Sequence, residues 1–146
     1  LAKLIASTAT LLGQKDNYAL GQTDYTPDEF ATNVLTSSPV RYELFRQTYQ
    51  KEPLLQLGGV TYGWLNATFA FITSVDNLSV TIPLYIASAQ NDEVVDNNAQ
   101  YKLANRHANT VLKSFEGAKH ELLFERDEIR KPLLTNFYQF CESVTA

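Results

Sequence analysis

Sulfur is nearly absent from this chain, which contains one cysteine, Cys141, and no methionine. A single cysteine excludes an internal disulfide and any metal site built from several thiolates. Cys141 lies within an apolar helical pattern, which is typical of a core thiol rather than a nucleophile. Because the chain begins at Leu1 and has no methionine, we expect that an upstream portion of the natural protein is missing.

Positive charge and long apolar runs are also scarce. The twelve Lys and Arg residues are scattered and outnumbered by sixteen Asp and Glu residues, so the formal net charge is −4. No basic stripe can neutralise a phosphate backbone, and nucleic acid is therefore not an expected partner. No apolar run approaches the roughly 20 residues that span a bilayer, and the N-terminal segment lacks a signal-peptide pattern. We expect a soluble chain.

Several motifs that carry chemistry are missing as well. None of the six glycines frames a serine in a G-x-S-x-G nucleophile elbow. The segment "HELLFE" has Phe124 where a zinc helix needs its second histidine. The segment "NDEVVDNN" resembles a calcium loop, but Val94 and Val95 interrupt its oxygen ligands and the required glycine is lacking. We expect no metal and no cofactor.

What is present in the first half is helical periodicity. Apolar residues recur at helical spacing in "LAKLIASTATLL", and a second helix is expected between Ser38-Pro39 and Pro53, since serine caps free amides and proline suits the first turn. A third helix is predicted from about Thr61 toward Val75. The segment from Gly13 to Pro39 is rich in turn-forming residues and is expected to be irregular.

The second half predicts strand, helix, strand and helix. "IPLYIASA" is a short apolar run typical of a strand buried on both faces, and "TVLKSFEG" is a second strand. Between them lies "AQYKLANRHA", a helix that Asp96 is expected to cap. A final helix places apolar residues on one face: Ile129, Leu133, Phe137, Phe140 and Val144. The fold class is α/β with a parallel sheet, and two strands alone would leave hydrophobic edges exposed.

Two titratable residues follow the two predicted strands. Asp92 comes directly after "IASAQN", and His120 comes directly after "FEGAK". Functional groups of open α/β sheets gather beyond the carboxyl ends of the strands, so the two side chains are expected to be neighbours. A carboxylate that orients a histidine is two thirds of a hydrolytic triad, and the order acid then histidine fits the chain order serine, acid, histidine.

Other interpretations of these residues stay open on spacing alone. Asp92 is also typical of a turn or capping residue, and His120 of a loop histidine that starts a helix. His107 is expected to be a surface or packing residue. The acidic residues near the last helix suit a solvated helix start: Glu121, Glu125, Asp127 and Glu128. Aromatic residues of the second and third helices are expected either in the core or along an apolar substrate pocket.

Sequence blocks spread over nearly the entire chain resemble one family. "YALGQTDYTPDEFATNVLTSSPVRYELFRQTY", "LQLGGVTYGWL", "AQNDEVVDN" and "FEGAKHELLFERDEIR" resemble bacterial lysophospholipases of the monoacylglycerol-lipase-like group of α/β-hydrolases. The resemblance implies a partial α/β-hydrolase fold: a helical cap segment at 1–60 and the C-terminal part of the core at 61–146, with the last βαβα of the parallel sheet. It also implies that Asp92 is the catalytic acid, that His120 is the base, and that the nucleophilic serine lies outside this chain.

The same resemblance implies a function for the full-length protein. It would cleave the acyl ester of lysophospholipids or monoacylglycerols, with Tyr62 and Trp64 of the aromatic set in contact with the substrate. The isolated chain would be inactive without its missing N-terminal portion. The alternatives are a noncatalytic folded fragment or binding module, with a homodimer covering the sheet edges, and an esterase or peptidase of the same fold. A cytoplasmic location is expected, with peripheral contact to the inner membrane suggested by a lipid substrate.

Overall fold

Three helices precede a βαβα unit in the computed structural model, which describes residues 1–75 and 79–145. The helices and strands are α1 (Ala2–Leu11), α2 (Pro39–Lys51), α3 (Tyr62–Val75), β1 (Leu84–Ala89), α4 (Asn97–Arg106), β2 (Thr110–Phe115) and α5 (Asp127–Thr145). Short 3₁₀ turns occupy Phe30–Thr32, Pro53–Leu55 and Leu122–Phe124. In these described ranges, no helix combines the length and apolar character needed to cross a membrane.

The described residues form two compact units, the first of which contains residues 1–27 and 49–75. In this unit α1 packs against α3, and Ala6 and Ala9 of α1 are buried. Gly63 donates its backbone N–H to the Lys15 carbonyl at 2.8 Å, and a Cβ at position 63 would stand only 2.8 Å from that oxygen. Small residues therefore allow the close approach. The expected division into cap and core at residue 60 stays a prediction.

The second unit contains residues 28–48 and 79–145 and holds the sheet. β1 and β2 are parallel neighbours, with Leu84 opposite Thr110 and Ala89 opposite Phe115. The connection runs through α4, whose start is fixed by Asp96, because its carboxylate accepts the Asn98 N–H at 2.9 Å. The predicted strands, their connecting helix and its cap are thus confirmed.

The core of the second unit forms where the ends of the strands meet α5. It is built from five buried apolar residues: Ala89, Phe115, Ala118, Ile129 and Leu133. Ile129 and Leu133 lie one turn apart on α5, as the predicted apolar face required. The expectation that β1 is buried on both faces is wrong for most of the strand, since only Ser88 and Ala89 are fully covered. The single strand that pairs with β1 among the described residues leaves the rest half-exposed.

Candidate active site

The loops that follow β1 and β2 are hydrogen-bonded to each other. Gln90 donates its backbone N–H to the Phe115 carbonyl at 3.1 Å, and Asn91 donates to the Ala118 carbonyl at 2.9 Å. The second loop can turn because Gly117 adopts a left-handed conformation, φ 70°, which glycine reaches without steric cost. The turn therefore sends residues 118–120 back toward the end of β1.

Asp92 and His120 meet beyond the carboxyl ends of the two strands. Nδ1 of His120 lies 2.9 Å from Oδ2 and 3.1 Å from Oδ1 of Asp92. The side chain of Asp92 is only 3% exposed, while that of His120 is 29% exposed. His120 is thus hydrogen-bonded to a buried carboxylate on one side, while part of its ring remains exposed to solvent. The structure places the two residues as neighbours, and their catalytic role stays a prediction.

The Asp92 carboxylate is held by its own loop as well as by His120. Oδ1 accepts the backbone N–H groups of Val94 at 2.8 Å and Val95 at 3.0 Å. Burial raises the pKa of Asp92, but the hydrogen bond from His120 and the two amide donors outweigh it, so the pKa lies below its ordinary value. The carboxylate is therefore ionised at neutral pH.

This geometry fixes which nitrogen of His120 carries a proton. An ionised carboxylate only accepts hydrogen bonds, so Nδ1 is protonated and donates to Asp92. Nε2 is then the basic nitrogen of the neutral ring, and no residue in the described ranges donates a hydrogen bond to it. Such a ring can take a proton from a nucleophile at Nε2 while the carboxylate stabilises the resulting imidazolium.

Glu125 is a residue of this region that sequence reasoning misjudged. It was expected on a solvated helix start, but its side chain is fully buried. Burial raises the pKa of Glu125, and hydrogen bonds from Ser37, from the backbone of Lys119 and from Arg126 more than offset this, so the pKa is lowered. The solvated interpretation is therefore wrong for Glu125. The acidic run gave no signal of this, because Ser37 lies 88 positions away in sequence.

The remaining sequence candidates are two aromatic residues of the first unit and one further histidine. Tyr62 and Trp64 are at the start of α3 in the first unit, where Tyr62 is half-buried and Trp64 is 55% exposed. Their substrate contact stays a prediction. His107 is buried at the end of α4, which agrees with a packing role. Within the described ranges, no group of three or more His, Cys, Asp or Glu side chains is placed to hold a metal ion.

Known proteins are similar in sequence to most of this chain. A family model described as "Serine aminopeptidase, S33" (Hydrolase_4) matches residues 2–127. A "Probable lysophospholipase L2" of Haemophilus influenzae is 29% identical over 140 residues, covering 94% of this chain and 45% of that protein. "Lysophospholipase L2" of Escherichia coli K12 is 31% identical over 141 residues, covering 86% of this chain and 40% of that protein. The chain thus spans less than half the length of either relative.

A solved structure has a similar backbone fold. It is a soluble variant of monoglyceride lipase from Saccharomyces cerevisiae in complex with a substrate analog. The match has a TM-score of 0.68 at 17% identity and covers 97% of this chain and 48% of that chain. At this identity the likeness concerns the fold alone. It confirms the predicted partial α/β-hydrolase fold.

Proposed function

The chain belongs to the serine aminopeptidase S33 family of hydrolases, and from this premise we propose that the full-length protein containing it hydrolyses the ester of monoacyl lipids. The predicted likeness to lysophospholipases and monoacylglycerol lipases is confirmed by the relatives and by the similar solved structure. The proposed substrates are lysophospholipids or monoacylglycerols, which carry a single acyl ester. The reaction class is acyl transfer to a serine followed by hydrolysis.

The observation that carries this proposal is the contact between Asp92 and His120 at 2.9 Å. With Nδ1 held by Asp92, Nε2 of His120 accepts the proton of the attacking serine hydroxyl as the serine oxygen bonds to the ester carbonyl. The imidazolium then donates that proton to the departing alcohol oxygen, which leaves an acyl-serine. Water attacks the acyl-serine while Nε2 of His120 accepts its proton, and the imidazolium then returns that proton to the serine oxygen as the bond to the acyl group breaks and the fatty acid is released. Asp92 stays ionised throughout.

The nucleophile of this proposal is supplied by residues outside the chain. No G-x-S-x-G segment occurs among its 146 residues, and the relatives are more than twice as long as the region matched. We propose that the missing N-terminal portion carries the serine and the oxyanion donors. The chain alone would then hold the acid and the base without a nucleophile, and would be inactive.

The proposed contacts with the acyl chain are Tyr62 and Trp64. The family resemblance suggests this role, and the large exposed surface of Trp64 is compatible with it. Each methylene that such a surface buries contributes on the order of 0.8 kcal/mol. Longer acyl chains are therefore expected to be better substrates. A lipid substrate also favours peripheral contact of the full-length protein with a membrane surface.

A second candidate function is hydrolysis of peptides, which is favoured by the description of the family as serine aminopeptidases. The Asp92 and His120 pair suits an ester or an amide equally well, because the fold does not fix the substrate. A panel of lysophospholipids, monoacylglycerols, short esters and aminoacyl amides separates these possibilities. Faster turnover of the amides would replace the lipid proposal with the peptidase.

The experiment that tests the proposal measures fatty-acid release from lysophospholipids by three proteins: this chain, the full-length protein and its His120→Ala variant. We expect activity only in the unmodified full-length protein, with the variant slower by about a thousandfold or more. Labelling with a serine-directed fluorophosphonate reports the nucleophile independently. Full activity of His120→Ala would overturn the role of His120, and absence of labelling would favour a noncatalytic binding module.

A further inference from the structure

Glu125 has its carboxylate closed off from water and surrounded by donors. Oε1 accepts the backbone N–H of Ser37 at 2.9 Å and that of Lys119 at 2.9 Å. Oε2 accepts the Ser37 hydroxyl at 2.5 Å and the Arg126 N–H at 3.1 Å. A buried charge is tolerated only when such bonds replace its hydration. The four donors belong to Ser37 and to the segment from Lys119 to Arg126, so the Glu125 carboxylate connects two segments that are distant in sequence.

The two parts joined are the segment before α2 and the loop that carries His120. We call residues 33–37 the strap. Besides the bonds to Glu125, the backbone carbonyl of Leu35 accepts a hydrogen bond from the Glu121 N–H at 2.8 Å. The backbone carbonyl of Asn33 accepts a hydrogen bond from the Lys119 ammonium group at 2.6 Å. The Thr36 hydroxyl donates to the Phe124 carbonyl at 2.8 Å. The strap therefore lies along the backbone on both sides of His120.

One of these bonds acts directly beside the histidine. Lys119 immediately precedes His120, and its N–H is fixed by Glu125. The His120 N–H itself makes a longer contact, 3.4 Å, with the Val34 carbonyl. Rotation of the backbone between residues 119 and 120 would swing the imidazole away from Asp92. The Lys119 N–H belongs to the peptide between residues 118 and 119, so the carboxylate of Glu125 anchors the chain one peptide before the one that bears the His120 N–H.

We propose that Glu125 is a positioning residue, which clamps the His120 backbone to the strap so that the imidazole stays aligned with Asp92. Glu125 does not touch the reacting atoms and acts only through the backbone around His120, which it holds at the Lys119 N–H. The proposal rests on the proposed function, because alignment affects turnover only if His120 is the base. It assigns a role in the reaction to a side chain that has no access to substrate.

Two substitutions in the full-length protein remove the clamp to different degrees. Glu125→Met keeps a side chain of similar length but removes all four accepted bonds. Glu125→Gln keeps one acceptor oxygen. With the amide nitrogen in place of Oε2, the Arg126 N–H would face another donor and lose its hydrogen bond. We expect kcat to fall by about a hundredfold in Glu125→Met and about tenfold in Glu125→Gln. KM is expected to stay unchanged, because substrate contacts are intact.

The matched control is Asp127→Asn. It converts another carboxylate near the start of α5 to an amide and removes the ion pair with Arg41, whose Nη2 lies 2.5 Å from Asp127. Asp127 is half-exposed, and an exposed pair contributes little. We expect its kcat to stay within about twofold of the unmodified protein.

A second measurement separates positioning from mere stability. The ¹⁵N and Nδ1–H resonances of His120, assigned by their loss in His120→Ala, report the hydrogen bond to Asp92. We expect these resonances to shift or broaden in Glu125→Gln and Glu125→Met under conditions where both are folded by circular dichroism, and to stay unchanged in Asp127→Asn. Should Glu125→Met not fold, the Glu125→Gln comparison decides alone.

Two outcomes would overturn the positioning role. One is an unchanged kcat for the folded fraction of Glu125→Gln together with unchanged His120 resonances. The other is an equal loss of activity in Asp127→Asn, which would indicate a general effect of the helix start. Failure of the proposed function has a different signature, namely equal lipid hydrolysis with and without His120. In that case the resonances still decide whether Glu125 holds the imidazole.

Discussion

The two oxygens of the Asp92 carboxylate have different partners. Oδ1 is the acceptor for two backbone amides of its own loop, Val94 and Val95, at 2.8 and 3.0 Å. Oδ2 makes the shorter contact with His120 at 2.9 Å. An amide in place of the carboxylate has only one oxygen. That oxygen would stay with the two backbone donors, and the amide nitrogen would then face His120.

Asp92→Asn is therefore expected to reverse the tautomer of His120. The Asn amide donates rather than accepts, so Nδ1 would lose its proton and Nε2 would carry it. A base protonated at Nε2 cannot accept the serine proton, and we expect kcat of the full-length protein to fall by about ten thousandfold. Steady-state hydrolysis of a lysophospholipid measures the loss. Imidazole ¹⁵N shifts report the tautomer.

Asp96→Asn is the control for this substitution. Asp96 lies in the same loop, and it caps α4 by accepting the Asn98 N–H at 2.9 Å. Asparagine is as good a capping residue as aspartate, so helix and activity should both be retained. A comparable loss of kcat in the two variants would show that the loop, and not the tautomer, is responsible.

The residues of this pair were accessible to sequence reasoning, and Glu125 was not. Asp92 and His120 could be paired because each follows a recognisable strand, and parallel strands end at one edge of a sheet. Glu125 lies among other acidic residues before a helix, where a solvated side chain is the usual outcome. Its burial depends on Ser37 and the strap, which approach only once the chain has folded. No local pattern encodes a contact 88 positions away in sequence.

At the scale of elements, the turn between β2 and His120 depends on Gly117. Its φ of 70° lies in the left-handed region, which costs a residue with a side chain about 1–2 kcal/mol. A Cβ there would also stand 3.3 Å from the end of the Arg126 side chain, which can move aside. We expect Gly117→Ala to lower the free energy of unfolding by this amount and to reduce kcat, because the turn sets the approach of His120 to Asp92.

Gly13→Ala separates the two effects of that substitution. Gly13 follows α1 with φ 79°, and a Cβ there would meet no atom within 4 Å. The same left-handed strain therefore applies, but at a turn outside the strand-to-histidine loop. Urea unfolding should show similar destabilisation of both variants. Only Gly117→Ala should lose turnover, and an equal loss in Gly13→Ala would contradict the assigned role of the turn.

The helices and strands themselves followed from local signals. Ser38 and Pro39 predicted the start of α2, which begins at Pro39, and Asp96 predicted the start of α4. The apolar runs predicted β1 and β2 with their parallel direction. The sequence overestimated the burial of β1. An apolar run indicates that a strand can be buried on both faces, but it does not show which neighbouring elements are present to bury it. The positions of helices and strands depend on local sequence, whereas the burial of a residue depends on segments that are distant in sequence.

For the whole molecule, the fold leaves one edge of β1 without a partner strand among the described residues. The described sheet has two strands, and an unpaired hydrophobic edge favours association with another chain or segment. A further portion of a longer protein and a homodimer both stay predictions for this edge. Along the α5 side of β1, a groove of about 470 Å³ is lined by side chains that include Tyr85, Leu133 and Phe137. An apolar groove of this kind is consistent with a neighbour there.

The stability of the second unit should depend on acid mainly through the two carboxylates whose side chains are buried, Asp92 and Glu125. The pKa values of Asp92 and Glu125 are both lowered in the folded protein, because hydrogen bonds to each carboxylate outweigh the effect of burial. A group with a depressed folded pKa stabilises the fold at pH above its unfolded pKa. That contribution is lost as pH falls through the folded value. Stability should therefore decrease from roughly pH 5 downward.

Glu125→Gln tests this dependence on the free energy of unfolding. Near pH 7 the variant should be clearly less stable than the unmodified chain, since an amide cannot satisfy four donors. As pH falls through the lowered pKa of Glu125, the carboxyl of the unmodified chain becomes protonated and also loses its advantage, so the two sets of unfolding free energies should converge. Urea midpoints measured across this range provide the comparison, with Asp127→Asn as the exposed-carboxylate control. Parallel curves, with a constant difference at every pH, would mean that Glu125 stabilises the fold by its shape and not by its charge.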